Sequence, residues 1–161
     1  MAIEDTHNGA KNAFTLMDAY MNTVAEEIGM ERALALMTKM VEQVGSLQGM
    51  MTKEQAGTKD FDAKAAHYSL VNTVSENLGI VLEVLEESPE RVSTKCRLCS
   101  IYEAGKMLGW DDKFQESECR TAGAIRFVDT AVKQLNPKLS YRLKKFRSGA
   151  DDFCEEELVL S

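Results

Sequence analysis

The sequence lacks several features that would point to common classes of function. No window approaches the run of about 18 uncharged apolar residues that a membrane-spanning helix needs. Acidic residues, 26 in number, exceed the 19 basic ones, and a net charge of −7 argues against nucleic acid or an anionic membrane as a main partner. A local basic strip, Arg142–Arg147, is interpreted as a solvated strand face. The glycine-rich fingerprints of phosphate-binding loops are also missing.

A positively charged segment leading into an apolar core is absent from the N-terminal residues, so the sequence predicts no secretory signal peptide. We therefore expect a soluble, cytoplasmic protein. In a reducing compartment its four cysteines should be thiols or thiolate ligands rather than structural disulfides. At 161 residues the chain can fold as a single domain, 1–161, without cross-links.

Apolar residues at steps of three and four predict helices in the N-terminal part, residues 1–79. The predicted segments are Ala10–Gly29, Glu31 to about Met51, and Phe61–Leu78. Asp60 or Thr58 is expected to cap the third helix, and residues 52–60 are expected to form a polar turn. The methionines of the second helix suit core filling, although this helix could also pack against a second subunit and form a homodimer.

Alternating apolar residues predict strands in the second part, residues 80–161. Two hairpins are expected, with turns at Ser88–Glu90 and at Ser148–Asp152. Between them the pattern predicts a short helix, Ser100–Gly109, and a longer helix that Asp112 caps and that reaches Asn136. The predicted fold is α+β: an antiparallel four-stranded sheet covered by helices, preceded by a three-helix segment.

Four cysteines are the main candidates for chemistry. Cys96 and Cys99 form a C-x-x-C pair, and 19 and 34 further residues separate Cys99 from Cys119 and Cys119 from Cys154. Strand alternation places Cys96 inward, and Cys99 falls at a helix start. If these elements meet in space, the four thiols could hold zinc or an iron-sulfur cluster, although the clustered spacing of ferredoxins is absent. The alternative is a set of reduced structural or reactive thiols.

A catalytic interpretation rests on Cys99, Cys154 and Glu156. The helix N-terminus and neighbouring cations would lower the pKa of Cys99. On the last strand, Cys154 and Glu156 share the face of Leu158, so Glu156 is expected to point inward and to need a partner. A thiolate and a carboxyl group are what hydrolysis of a C–N bond requires. His7 is interpreted as part of a frayed terminus, and His67 as a partly exposed helical residue.

The runs CRLCSIYEAGKMLGW, ESECR and LNPKLSYRLKKFRSGADDFCEEELVL resemble the L-2-amino-thiazoline-4-carboxylic acid hydrolase family, over roughly residues 81–160. The resemblance implies an α+β domain and hydrolytic opening of a thiazoline ring. The family's pattern falls on Cys99, Tyr102, Glu103, Cys119 and Cys154. Ser100 stands where a proline is expected, Gly149 lies one residue early, and Cys96 is additional.

The ending of the chain is also similar, more distantly, to vinyl-reductase-type small-molecule-binding domains, in which cysteines and an acid can hold zinc beside a hydrophobic pocket. The predicted function is therefore a hydrolase-like domain that acts on or binds a small sulfur- or nitrogen-containing metabolite. The alternative is a non-enzymatic sensor or accessory protein that binds zinc or an iron-sulfur cluster. Its ligands would be Cys96, Cys99, Cys119 and Cys154.

Overall fold

The computed structural model describes residues 3–161 and begins with two long helices, α1 and α2, that meet at Gly29. Gly29 has φ 87°, which favours glycine and lets the chain reverse without a longer loop. A shorter helical segment follows, in which a π-helical turn, His67–Val71, separates α3 from α4. The helices are α1 Ile3–Ile28, α2 Met30–Ala56, α3 Ala63–Ala66, α4 Asn72–Asn77, α5 Ser100–Met107, α6 Asp112–Thr121 and α7 Ala124–Leu135.

The sheet confirms the predicted architecture of two antiparallel hairpins. Its strands are β1 Val81–Glu87, β2 Arg91–Leu98, β3 Leu139–Lys145 and β4 Cys154–Leu160, in the order β1-β2-β4-β3. The hairpins join through β2 and β4, which pair antiparallel with Cys96 opposite Cys154. One face of the sheet packs on α7 and on the α3–α4 segment, with Val92, Leu139 and Leu158 in the core.

Several predicted helix boundaries were wrong. The polar turn expected at 52–60 is shorter, because α2 continues to Ala56 and ends at Gly57, which is left-handed with φ 65°. The carboxylate of Asp62, rather than Asp60 or Thr58, caps α3 by accepting a hydrogen bond from the Ala65 N–H at 2.7 Å. Local sequence offered several cap residues, and the tertiary path of the chain selected this one.

The long helix predicted to reach Asn136 is two helices, α6 and α7, separated at Gly123. Asp111 rather than Asp112 caps α6, since its carboxylate accepts a hydrogen bond from the Phe114 N–H at 2.7 Å. A Cβ atom at Gly123 would lie 2.7 Å from a carboxylate oxygen of Glu118, so the break lets the chain pass close to a buried acid.

α2 packs against α7 through two glycines on its inner face. A Cβ atom on Gly45 would lie 2.7 Å from the carbonyl oxygen of Phe127, and one on Gly49 only 2.3 Å from that of Ala131. Both neighbours are backbone atoms, so neither can give way by changing a rotamer. The close contact therefore depends on glycine.

β3 is an edge strand, and charged side chains cover part of its free edge. The carboxylate of Asp129 in α7 accepts a hydrogen bond from the backbone N–H of Tyr141 at 3.0 Å. Arg120 in α6 donates to the carbonyl oxygen of Leu143 at 2.7 Å. These contacts also fix α6 and α7 relative to the sheet.

Both histidines are buried, although the sequence analysis predicted a frayed terminus for His7 and partial exposure for His67. His7 is buried within α1, where its Nδ1–H donates to the carbonyl oxygen of Gly79 at 2.9 Å and its Nε2 lies 3.2 Å from a carboxylate oxygen of Glu103. A Cβ atom on Gly79 would be 2.3 Å from the Cα of His7, so α1 passes directly over this turn. His67 is also buried, with 1% of its surface exposed. None of the helices in the described part of the chain is long and apolar enough to cross a membrane.

Candidate functional site

The four cysteines and Glu156 come together at the end of the sheet where β2 finishes and β4 begins. Cys96 lies on β2, Cys154 faces it from β4, and Cys99 immediately precedes α5. Cys119 comes from α6, and its thiol lies within the electrostatic influence of Glu156, Cys99 and Cys154. Cys96 and Cys154 are buried, whereas Cys99, Cys119 and Glu156 are partly accessible. Cys96 and Cys154 are therefore the most enclosed members of the group.

Cys96 and Cys99 act electrostatically as a pair. Cys99 is the N-cap residue of α5, in an extended conformation with φ −139° and ψ 108°. The Cys96 thiol donates to the carbonyl oxygen of Leu98 at 3.5 Å. The interaction between the Cys96 and Cys99 thiols lowers the pKa of Cys99 and, together with burial, raises the pKa of Cys96. Burial and the charge of Glu156 raise the pKa of Cys99, whereas the backbone N–H of Tyr102 and the charge of Arg147 lower it, and the net shift is downward. Negative charge is thus favoured on Cys99 over Cys96.

The other two thiols are in their neutral forms. Burial raises the pKa of Cys119 well above its usual value, and the charge of Glu156 adds to this effect. Burial also raises the pKa of Cys154, although a hydrogen bond with Arg147 opposes the shift. Cys99 is consequently the one of these four cysteines whose pKa is lowered, which favours its thiolate form.

Glu156 points inward and has the hydrogen-bond partner that a buried carboxyl group requires. The hydroxyl of Tyr141 on β3 donates a short hydrogen bond to the Glu156 carboxylate. Burial raises the pKa of Glu156, against the opposing effects of this hydrogen bond and of Arg147. Sequence alternation placed Tyr141 on the inner face of its strand, which could have suggested it as the partner, but the pairing of β3 with β4 was needed to bring the two groups together.

Arg147 is the functional residue that the sequence analysis missed, because the strip Arg142–Arg147 was interpreted as solvated. Only 4% of its surface is exposed. Its Nη2 donates to the carbonyl oxygens of Cys96 and Arg97, each at 2.9 Å, and its guanidinium lies 4.6 Å from the centre of the Tyr102 ring. Among the described residues no carboxylate forms an ion pair with it. A buried cation therefore stands near Cys99, whose pKa its charge lowers.

Tyr102 and Glu103 hold the helix that carries Cys99. The hydroxyl of Tyr102 donates to Asp112 at 2.9 Å, and burial, followed by this hydrogen bond, raises the pKa of Tyr102 to about 12. Glu103 accepts a hydrogen bond from Lys11 at 3.3 Å and contacts His7. These two residues of the family pattern thus fasten α5 to α6 and to α1.

A second acidic pair lies outside the cysteine site, between α1 and α6. Asp18 and Glu118 are both buried. Burial raises the pKa of each to about 7, and the neighbouring charge of Asp18 contributes to the shift of Glu118. Neither carboxyl group has a basic partner among the ion pairs of residues 3–161, so both favour the protonated form more than free acids do.

The described residues give no direct support for a shared metal site. Within residues 3–161 no three side chains of His, Cys, Asp or Glu are grouped as ligands for one ion. Binding of zinc or an iron-sulfur cluster by Cys96, Cys99, Cys119 and Cys154 stays a prediction.

Solved structures that share this fold include two that were determined with a small molecule. One is the phenol-responsive sensory domain of the transcription activator PoxR with phenol, which is 14% identical, with a TM-score of 0.60 over 91% of this chain and 74% of that one. Another is a trafficking protein particle complex subunit 3 from Naegleria fowleri covalently bound to palmitic acid, which is 13% identical, with a TM-score of 0.58 over 94% of this chain and 96% of that one. The likeness shows the α+β fold of this chain.

The sequence profile of the L-2-amino-thiazoline-4-carboxylic acid hydrolase family matches residues 10–155, so the chain belongs to that family. The match confirms the resemblance drawn from the second half and extends it through α1 and α2. No curated protein matches the sequence.

Proposed function

We propose that this domain is a hydrolase that opens a small cyclic substrate of the thiazoline-carboxylate type by C–N bond cleavage, with Cys99 as the nucleophile. The observation that carries the proposal is the environment of Cys99. This residue combines a helix N-cap position, a hydrogen bond with a neighbouring thiol and a nearby buried guanidinium, and it is partly accessible. Membership of the hydrolase family supports the substrate class.

The first chemical step forms a covalent adduct on Cys99. In a 2-amino-thiazoline, one ring carbon is bonded to sulfur, to the ring nitrogen and to an amino group. The thiolate of Cys99 adds to this carbon, and the ring nitrogen takes a proton from the carboxyl group of Glu156, whose raised pKa favours the protonated form. When the bond between that carbon and the ring nitrogen breaks, the nitrogen leaves as an amine, taking its second proton from the amino group of the adduct.

Water then releases the product. A water molecule adds to the same carbon, the Cys99 thiolate departs, and the carbon becomes a carbonyl group still attached to the substrate's sulfur. The carboxylate left on Glu156 by the first step accepts one proton of the water and the imine nitrogen takes the other, so Glu156 returns to its starting form. The net reaction consumes one water molecule. Cys154 has a positioning role here, since its thiol hydrogen bonds with Arg147.

Incubation with 2-amino-thiazoline-4-carboxylate tests the proposal. C–N cleavage yields a new primary amine with the sulfur still blocked, whereas C–S cleavage would free a thiol that Ellman's reagent detects. We expect Cys99→Ser to abolish turnover and Cys119→Ser to retain it. Absence of product, or full activity of Cys99→Ser, would overturn the assignment, and a free thiol product would replace C–N by C–S cleavage.

The second candidate is a non-enzymatic sensor or accessory domain, and the fold shared with the PoxR sensory domain supports it. Calorimetry separates it from the hydrolase, because a sensor binds the thiazoline carboxylate without forming product. Elemental analysis of protein purified without oxygen tests the metal-bearing form, in which Cys96→Ser should lose the zinc or iron. A cytoplasmic location is part of the proposal and is supported by the four free thiols.

A further inference from the structure

Arg147 is a buried cation to which the described part of the chain supplies no carboxylate partner. It takes part in none of the ion pairs among residues 3–161. Its Nη2 donates to two backbone carbonyl oxygens, which are uncharged, and its Nε is buried without a hydrogen-bond partner among these residues. Burial of a charged group is costly unless an opposite charge and hydrogen bonds compensate for it. The unpartnered Nε–H group therefore indicates a place for an anion that comes from outside the chain.

We propose that Arg147 binds the carboxylate group of the substrate and so makes the site selective for anionic heterocycles. This inference rests on the proposed hydrolase function and names the residue that selects its substrate class. An arginine suits this task, because its guanidinium stays charged and forms strong, directional hydrogen bonds with carboxylates. Since Nη2 already donates to two carbonyl oxygens, the carboxylate is bound through Nε–H.

The position of Arg147 beside the nucleophile fits the shape of the substrate. A hydrogen bond links Arg147 to Cys154, and its charge acts on Cys99. In a 2-amino-thiazoline-4-carboxylate, the carboxylate carbon is three bonds from the ring carbon that Cys99 attacks, so neighbouring protein groups can hold both. The addition of Cys99 also converts its thiolate into an uncharged thioether, and the carboxylate of the substrate then remains as the counter-ion of Arg147.

Further cations gather at the same end of the sheet. The ammonium nitrogens of Lys95 and Lys145 lie 4.0 Å and 3.9 Å from the centre of the Phe153 ring, and the guanidinium of Arg97 lies 5.3 Å from it. Lys145 is paired with Asp152, whereas Lys95 and Arg97 form no ion pair in the described part of the chain. Because Phe153 directly precedes β4, these cations favour the approach of a small anion to the site in a protein whose net charge is −7.

Calorimetry with two ligands tests this inference without relying on turnover. The ligands are 2-amino-thiazoline-4-carboxylate and 2-amino-thiazoline, which lacks only the carboxylate, and the protein is the full chain with Cys99→Ser. We expect the carboxylate to bind about 10- to 100-fold more tightly, as a hydrogen bond to a charged group implies. In the same background, Arg147→Gln should reduce this ratio of affinities to below about threefold. Lys144→Gln, which removes an exposed charge from the same basic strip, should leave the ratio unchanged.

The ratio of affinities separates recognition from a purely structural role of Arg147. If this residue only holds the backbone of Cys96 and Arg97, its loss weakens both ligands equally and the ratio stays the same. Arg147→Lys keeps the charge but lacks the Nε–H group, so it should give an intermediate ratio, and it replaces Arg147→Gln if circular dichroism shows that variant to be unfolded. Equal affinities, no binding of the carboxylate, or a ratio that neither variant lowers would overturn the inference.

Failure of the hydrolase function gives a different result. A protein that prefers the carboxylate but forms no product would retain Arg147 as a ligand-binding residue and lose the catalytic proposal. A protein that hydrolyses both ligands with equal kcat/KM would remain a hydrolase and lose the role of Arg147 in recognition.

Discussion

Substitution of Gly49 by alanine tests the closest helix contact of the fold. Alanine is the better helix former by about 1 kcal/mol, so propensity alone predicts that the variant is more stable. The structure predicts the opposite. The new methyl group would lie 2.3 Å from the carbonyl oxygen of Ala131 and 2.8 Å from the Cβ of Gln134. Since the first of these atoms belongs to the backbone, α2 and α7 must move apart.

Forcing an extra methyl group into a well-packed contact costs about 1–3 kcal/mol, and a distance of 2.3 Å puts Gly49 at the upper end of this range. After the gain in propensity, we expect a net loss of about 2 kcal/mol. Gly9 supplies the matched control, because it lies inside α1 and an added Cβ would have nothing within 4 Å. Gly9→Ala should therefore stabilise the protein by about 0.5–1 kcal/mol.

Thermal unfolding followed by circular dichroism measures both effects. In a chain of this length 1 kcal/mol corresponds to about 2–4 °C in Tm. Gly49→Ala should lower Tm by about 4–8 °C, and Gly9→Ala should raise it by about 1–4 °C. A rise in Tm for both variants would show that α2 and α7 are not in close contact at Gly49.

Three further predictions concern the site and its supports. Iodoacetamide should modify Cys99 first, with a half-maximal rate at a pH below the usual thiol value of about 8.5, and a different first-modified cysteine would contradict the thiolate assignment. The folded protein holds the protons of Asp18 and Glu118 more tightly than the unfolded chain, so Tm should fall as pH rises from about 4 through about 7. Asp18→Asn should make this fall in Tm less steep. The same dependence of Tm on pH in the variant would contradict the role of Asp18. Gly79→Ala should lower Tm by separating α1 from the turn below it, and an unaltered Tm would show that His7 is not held there.

Strand alternation predicted the floor of the site because only one face of the sheet is covered. The inward positions of Cys96, Cys154 and Glu156 follow from the apolar residues that share their faces, and a register shift by one residue would have turned all of them to solvent. The same reasoning failed for Arg147. The prediction treated Arg147 as part of the strand and placed its side chain in solvent. The strand β3 ends at Lys145, so Arg147 lies beyond it and its side chain turns inward.

Long-range contacts explain the remaining differences. The carbonyl oxygens that hold Arg147 lie 51 and 50 residues away along the chain, and the carbonyl oxygen that fixes His7 lies 72 residues away. Partners so far apart along the chain cannot be recognised from a local pattern in the sequence. The break between α6 and α7 is similar, because the apolar spacing continues through Gly123 and the reason for the break is the carboxylate of Glu118 beside it.

The charged groups on the free edge of β3 affect how copies of this protein can associate. Asp129 occupies the backbone donor of Tyr141, and Arg120 occupies the carbonyl acceptor of Leu143. An extended segment of another molecule would have to displace both side chains before it could add to the sheet, which protects the protein from edge-to-edge aggregation into fibrils. Loss of either side chain would expose part of a template for β-aggregation and would also remove a contact that fixes α6 or α7 to the sheet.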